Sequence, residues 1–149
     1  MEALRRLLDE DPVLIEAEAP CTPLCIACAW GSFEVVLLLL ERGADINKMD
    51  ARHGTSPLMA ACLSGRARVA SVLLGRGADP SLRSREGLTA MSTAAASQQR
   101  PAGSDHVAVI RLLLEDGRVE VDARDGLGLT ALFAACVAGH VERARVLLL

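Results

Sequence analysis

Four segments of the chain share one pattern of polar, small and apolar positions. They are Thr22-Pro-Leu-Cys-Ile-Ala-Cys-Ala-Trp-Gly31, Ser56-Pro-Leu-Met-Ala-Ala-Cys-Leu-Ser-Gly65, Thr89-Ala-Met-Ser-Thr-Ala-Ala-Ala-Ser97 and Thr130-Ala-Leu-Phe-Ala-Ala-Cys-Val-Ala-Gly139. Their first residues lie 34, 33 and 41 positions apart. Each is followed by an apolar run, at Val35–Leu40, Val69–Leu74, Val109–Leu114 and Val146–Leu149. The first stretch of each unit predicts a short helix of small residues, and the second a helix with Leu at helical spacing. Thr22, Ser56, Thr89 and Thr130 are hydroxyl N-caps for the first helix. Pro23 and Pro57 sit at its first position, where a missing N–H costs little. Pairs such as Ala60-Ala61 and Ala134-Ala135 leave room for helices to approach closely. Gly43, Gly77 and Gly117 fit the left-handed position after a helix end. A polar segment with Asp, Arg and Gly then turns the chain back.

The 41-residue interval marks an insertion. Seven extra residues fall between the two helices of the third unit, within Gln98-Gln-Arg-Pro-Ala-Gly-Ser104, where a surface loop absorbs them at modest entropic cost. One more falls near Arg118–Asp122, and one in Asn47–His53. Residues 3–11 fit a second helix without its first. The last unit stops at Leu149 inside its second helix, with no polar capping unit, although such caps keep an open stack soluble. The exposed end should therefore be sticky, and the chain reads as a segment of a longer array or one that needs a neighbour.

This combination resembles the ankyrin repeat family, whose pattern is Thr-Pro-Leu-His-x-Ala on a 33-residue period. The resemblance covers almost all of the chain, and it is specific because the motif, the period, the Leu-Leu pair and Gly-Ala-Asp (43–45 and 77–79) agree at once. It implies an all-α solenoid of helix pairs with projecting finger turns, about four repeats plus an N-terminal half repeat. The expected divisions are a half repeat at 1–20 and repeats at about 21–54, 55–87, 88–128 and 129–149. The His expected third after the capping hydroxyl is absent, with Cys25, Met59, Ser92 and Phe133 in its place. Its bond between the helix and the neighbouring finger should be lost, which puts finger rigidity in question. Repeat three also lacks the loop Gly, having Gln98, and is expected to be the weak link.

The resemblance further implies a partner-binding concave face made of finger tips and first-helix ends. The finger positions are Arg52, His53, Thr55, Arg85, Glu86, Leu88, Leu127 and Leu129. The helix-end positions are Ala29, Trp30, Leu63, Ser64, Ala96, Ser97, Val137 and Ala138. Binding energy concentrates in Trp and Arg anchors, which singles out Trp30, Arg52 and Arg85. Trp30 packing on the next repeat is the competing expectation. Asn47 resembles ankyrin asparagines that some hydroxylases accept.

Composition narrows the alternatives. Hydrophobic residues make up 51% of the chain and charged residues 23%, which argues against disorder. Net charge is −3, the wrong sign for a general nucleic-acid or anionic-membrane binder. No apolar stretch approaches the ~20 residues of a membrane helix, so no membrane insertion is expected. Five Cys with no secretory start suggest free thiols in a reducing compartment, cytoplasmic or nuclear.

Three patterns suggest chemistry. Cys21-x3-Cys25-x2-Cys28 has the spacing of an iron–sulfur loop or a redox pair. However, Cys28, Cys62 and Cys136 share one repeat position, where a buried Cys serves as a compact hydrophobe. Zinc is disfavoured because equivalent positions should lie ~8–10 Å apart, too far for thiolates at ~2.3 Å from one metal. Gly126-Leu-Gly128-Leu-Thr-Ala131 matches a dinucleotide fingerprint but lacks the preceding strand, so it reads as a turn before the Thr130 cap. Ser104-Asp105-His106 reads as a helix cap, and His106 and His140 as structural bonds to loop backbone, since a triad is defined by spatial roles rather than adjacency. No catalytic residue, cofactor or metal is assigned. The expected function is a non-catalytic scaffold for a protein partner, with further ankyrin repeats as a second possible neighbour at the C-terminal end. The alternative is the recognition segment of a larger adaptor or enzyme, such as a ubiquitin-ligase subunit, kinase or channel. A thiol or iron–sulfur enzyme is the remote reading.

Overall fold

The computed structural model describes residues 1–11, 15, 20–99 and 103–149. Among them are nine helices and no strand: α1 (Glu2–Glu10), α2 (Pro23–Trp30), α3 (Phe33–Glu41), α4 (Pro57–Leu63), α5 (Ala67–Gly75), α6 (Ala90–Ala96), α7 (His106–Glu115), α8 (Ala131–Val137) and α9 (Val141–Leu147). Residues 100–102 of the insertion, and 12–14 and 16–19 of the expected half repeat, lie outside the described residues.

The helices form two rows. The first row is α2, α4, α6 and α8, each packed on the next, and the second is α3, α5, α7 and α9. All four predicted caps are made. The hydroxyls of Thr22, Ser56, Thr89 and Thr130 accept the N–H groups of Cys25, Met59, Ser92 and Phe133 at 3.2–3.3 Å. At Thr89 the Ser92 hydroxyl also accepts the Thr89 N–H, closing a reciprocal box. Five residues after each capping hydroxyl stands an alanine, Ala27, Ala61, Ala94 or Ala135, and all four are buried. With no side chain beyond Cβ, this row lets helix backbones approach. The second row supplies bulk through Val36, Leu39, Leu73, Ile110 and Leu113, buried against both neighbours. Each such side chain removed from water is worth about 1.5–3 kcal/mol. At the N-terminal end, Arg42 of the α3 terminus pairs with Asp9 and donates to the Arg5 carbonyl of α1.

The ends of the first helices decide how the units join. In α2, α4 and α8, a glycine in the left-handed region (Gly31, Gly65 and Gly139, φ 73°, 65° and 72°) turns the chain. The two amides at that turn close on the last carbonyls: Gly31 and Ser32 on Cys28 and Ala27, Gly65 and Arg66 on Cys62 and Ala61, Gly139 and His140 on Cys136 and Ala135. Helix α6 has no such glycine, and Ser97 leaves it in an extended conformation (φ −55°, ψ 128°). The equivalent carbonyls, Ala94 and Ala95, are taken by the buried guanidinium of Arg143 at 3.1 and 3.3 Å, which also donates to Ser97 O. Arg143 stands where the other repeats carry Val35, Val69 and Val109. The fourth repeat thus supplies the cap that the third cannot form for itself.

Similar ties cross the other junctions. Arg66 Nε donates to Ala29 O at 3.1 Å, His106 Nε2–H to Leu63 O at 3.0 Å, and His140 Nε2–H to Ser97 O at 2.9 Å. The assignment of His106 and His140 to backbone bonding therefore agrees with the structure. The Asp105 carboxylate accepts the Ala108 N–H and caps α7. No room is left beside Gly65: a Cβ there would sit 2.8 Å from the His106 ring.

At the C-terminal end the small-Cys expectation needs correcting for one residue. Cys28 and Cys62 are fully buried, but Cys136 is exposed, since none of the described residues covers that side of α8. Phe133, Val137, Val141 and Leu148 share that exposure.

Two outcomes test this reading of the junctions. Arg143→Met, which keeps bulk but removes the donors, should cost about 1–3 kcal/mol in denaturant unfolding, the penalty of buried carbonyls left without partners; an unchanged midpoint would contradict it. Native-state hydrogen exchange should show easier opening over 97–106 than over 56–75, and equal protection in the two segments would contradict that.

Candidate functional site

Three finger turns project beyond the first-helix row, and each is organised from within. In the first, the Asp50 carboxylate is buried and accepts three backbone N–H groups, from Arg52 (2.9 Å), His53 (2.7 Å) and Thr55 (2.8 Å). Burial pushes its carboxyl pKa up, but the bonds from His53, Thr55 and Arg52 outweigh that and hold it below the ordinary value. The equivalent residue of the second finger is Ser84, whose hydroxyl accepts the Glu86 and Leu88 N–H groups. In the third, Asp125 accepts those of Leu127 and Leu129. The fingers are also joined backbone to backbone. Arg85 N–H donates to His53 O, and Gly126 N–H to Glu86 O, both at 2.9 Å. A Cβ on Gly126 would stand 2.3 Å from the Glu86 carbonyl. The glycines of the dinucleotide-like match are thus explained: Gly126 allows finger to touch finger, and Gly128 (φ 78°) makes the turn.

The fingers therefore carry bonds of their own where the family imidazole is absent. The missing imidazole is replaced by the Asp50, Ser84 and Asp125 side chains and by the finger-to-finger bonds. In the first unit, Cys25 Sγ also lies 3.5 Å from Thr55 O. A second tie runs between turn starts, where Asn47 Oδ1 accepts the Asp79 N–H at 2.9 Å.

The candidate surface residues line a row of three clefts. The first, of about 230 Å³, lies between α2 and the first finger and includes Cys21, Ile26, Trp30, His53, Thr55 and Leu63. The second, about 250 Å³, is bounded by His53, Thr55, Leu63, Glu86 and Leu88 with Met59 and Thr93 in its lining. The third, about 600 Å³, lies between the second and third fingers and includes Arg83, Arg85, Glu86, Leu88 and Leu127. Shared residues make them neighbours: His53, Thr55 and Leu63 border the first two, and Glu86 and Leu88 the last two. Trp30 is 75% exposed, which rules out burial against the next repeat, and Leu127 is 83% exposed. Arg52 is exposed at the first fingertip and Leu129 is half-buried in the third finger, both outside the three clefts. Ser64 and Ser97 need correcting as surface residues. Both are buried, Ser64 beneath the start of the insertion with its hydroxyl 3.5 Å from Gln99 Oε1, and Ser97 donating to Leu63 O.

The exposed large apolar side chains are unevenly spread. Ile26, Trp30, Leu127, Phe133 and Val137 lie on first helices or fingers; in the second row none lies on α3, α5 or α7, and Val141 lies on α9. The Cys motif is dispersed into packing. Cys25, Cys28 and Cys62 are buried, and burial pushes the Cys25 thiol up to about 11 and those of Cys28 and Cys62 higher still. They are protonated thiols at neutral pH. Among the described residues, no three His, Cys, Asp or Glu side chains are grouped to hold a metal, and no helix is long and apolar enough to cross a membrane. What sequence reasoning missed is Asp50; its signal was the acidic or hydroxyl residue recurring at positions 50, 84 and 125.

The depressed Asp50 pKa gives a signed pH prediction. A carboxyl whose folded pKa lies below its unfolded value of ~3.9 stabilises the fold above that value, and this is lost as pH falls through the folded pKa. Asp50→Asn should therefore destabilise the chain at pH 7 by about 1–3 kcal/mol and narrow its deficit by pH 3.5. Thermal unfolding of both proteins at the two pH values measures it; a deficit that does not depend on pH would contradict it.

Comparison with known proteins places this geometry. The family model for ankyrin repeats (three copies) matches residues 1–84 and again 58–149. The chain is 48% identical over 44 residues to human ankyrin repeat domain-containing protein 29, covering 30% of this chain and 15% of that protein. It is 44% identical over 48 residues to the Danio rerio protein of the same name, covering 32% and 16%. It is also 48% identical over 50 residues to Serine/threonine-protein kinase VIK of Arabidopsis thaliana, covering 32% and 11%. These matches thus span no more than about a sixth of each relative. With the family matched along both halves and the helix pairs, caps and fingers in register, the chain belongs to the ankyrin repeat family.

Proposed function

We propose that the chain is a non-catalytic protein-binding scaffold whose partner lies on the concave face of fingers and first helices. Ankyrin repeats are in general protein–protein interaction modules. The observation that carries the reading here is the uneven exposure of large apolar groups: Trp30, Ile26 and Leu127 border a continuous row of clefts, while in the second row α3, α5 and α7 expose none and only the last helix, α9, exposes one, Val141. Exposed apolar surface of this kind marks interaction sites. The fingers are held by internal bonds before any partner arrives, so little ordering entropy is lost on binding. Trp30, Arg52 and Arg85 are the anchors, and His53, Thr55, Leu63, Glu86, Leu88, Leu127 and Leu129 supply the surrounding surface.

A second reading is supported by the match to a protein named as a kinase. In it the chain is the recognition segment of a larger protein, and any chemistry lies outside these residues. The α8–α9 face then takes further ankyrin repeats. Position by position, Cys136 is exposed and Ala144 half-buried there, while Cys62, Ala70 and Ile110 are buried. A reducing compartment, cytoplasm or nucleus, suits five free thiols.

Affinity capture with the wild-type chain beside Trp30→Ala/Arg52→Ala/Arg85→Ala tests the concave face. A partner retained by the wild type and lost by more than about tenfold with the variant is expected, since hot-spot truncations cost ≥ 2 kcal/mol each at most interfaces. A variant that folds, by circular dichroism, yet keeps every partner would overturn the assignment.

A further inference from the structure

We infer that Ser84 is a phosphorylation site, whose phosphate takes the place that a carboxylate holds in the fingers on either side. Asp50, Ser84 and Asp125 occupy one position of the three finger turns. Ser84 and Asp125 accept the N–H groups two and four residues on, and Asp50 accepts those of Arg52, His53 and Thr55. The bonds to Asp50 are 2.7–2.9 Å and those to Asp125 2.9 Å, but those to Ser84 are 3.3 and 3.1 Å. Hydrogen bonds to an ionised acceptor are shorter than neutral ones and roughly twice as strong. The second finger thus aims the same donors at a residue that carries no charge.

Room and counter-charge are present at that residue. Ser84 is half-buried and lines both the second cleft and the third, of about 250 and 600 Å³. Arg83 and Arg85 flank it in sequence and line the third cleft with it. The Arg83 guanidinium is held between fingers, donating to Gly87 O and Arg124 O, and Arg85 is exposed. A phosphate opposite arginines gains charge-assisted hydrogen bonds. Glu86 and Asp125 are the acids that line these clefts and act against it. Glu86 is exposed, and Asp125 already has one oxygen engaged by the Leu127 and Leu129 N–H groups.

Nearby hydroxyls lack that setting. Ser81 donates its hydroxyl proton to Asp79 Oδ1 at 2.6 Å, so a phosphate there would meet a carboxylate. Thr89 and Ser92 are buried in the reciprocal cap of α6. The co-reactants at Ser84 are ATP and a serine kinase whose acidic groove accepts arginine on both sides of its target. Ser84 Oγ attacks the γ-phosphorus, the bond from that phosphorus to the β–γ bridging oxygen breaks, ADP leaves, and the hydroxyl proton passes to the kinase's base. The product adds about −1.5 to −2 of charge. Whatever partner the clefts take, that charge falls on the border shared by the second and third.

The full chain is incubated with the catalytic domain of protein kinase C and Mg-ATP, and the phosphate is located by peptide fragmentation. One phosphoryl group at Ser84 is expected, lost in Ser84→Ala and kept in Ser81→Ala. The phosphorylated chain and Ser84→Asp should unfold at a midpoint about 2–6 °C above the wild type, and Ser84→Asn, with the shape of Asp but no charge, should not. Mapping the phosphate on the wild-type chain keeps the test valid even where a variant fails to fold. No phosphate at Ser84, phosphate entering only when the chain is unfolded in urea, a midpoint that falls or stays on phosphorylation, or an equal rise in Ser84→Asn each overturns the inference.

Discussion

A short helix ends with carbonyls that have no partner inside it, and every unit of this chain must resolve that at the same place. The first helices have seven or eight residues, so their terminal carbonyls are a large share of their backbone. Glycine turns satisfy two of them in three of the four units. A side chain from the following unit reaches one more in each of the first three: Arg66 to Ala29, His106 to Leu63, His140 to Ser97. The stack is held by burial, but its register is set by these donors, because a polar tie tolerates less sliding than an apolar contact. Where the insertion removes the glycine, Arg143 enters the buried layer to supply both missing donors.

The same registration carries out to the fingers. Helices placed at a fixed spacing bring the turns close enough for Arg85 to bond His53 and Gly126 to bond Glu86 through backbone alone. Asp50, Ser84 and Asp125 then fix each turn internally. The clefts between fingers are consequences of that lattice, which is why they share borders and recur once per unit. The proposed function is then a property of stacking, because the surface offered to a partner is formed by the same lattice.

Much of this was legible in the sequence because it is local. Capping hydroxyls, Pro23 and Pro57, the alanine row and the left-handed glycines each announce themselves by position within a repeat. The insertion was legible from a single interval of 41 residues. What was hidden depends on the neighbouring unit. Arg143 replaces a valine in its own repeat, and its reason lies on α6. Ser64 looked like a surface residue by register, but the insertion of the next repeat covers it. The fingers seemed weakened by the lost His, and Asp50 was overlooked because an Asp in a turn is too common to stand out. The exposure of Trp30 could not be chosen from sequence, since both packing and projection fit that position.

The most direct test is a hydrogen-exchange footprint of the chain bound to its captured partner. Slowed exchange over 26–30, 50–55 and 83–88, with α3, α5 and α7 unchanged from the free chain, is the result predicted here. Slowed exchange on α3, α5 and α7, with the fingers exchanging as they do in the free chain, would contradict it.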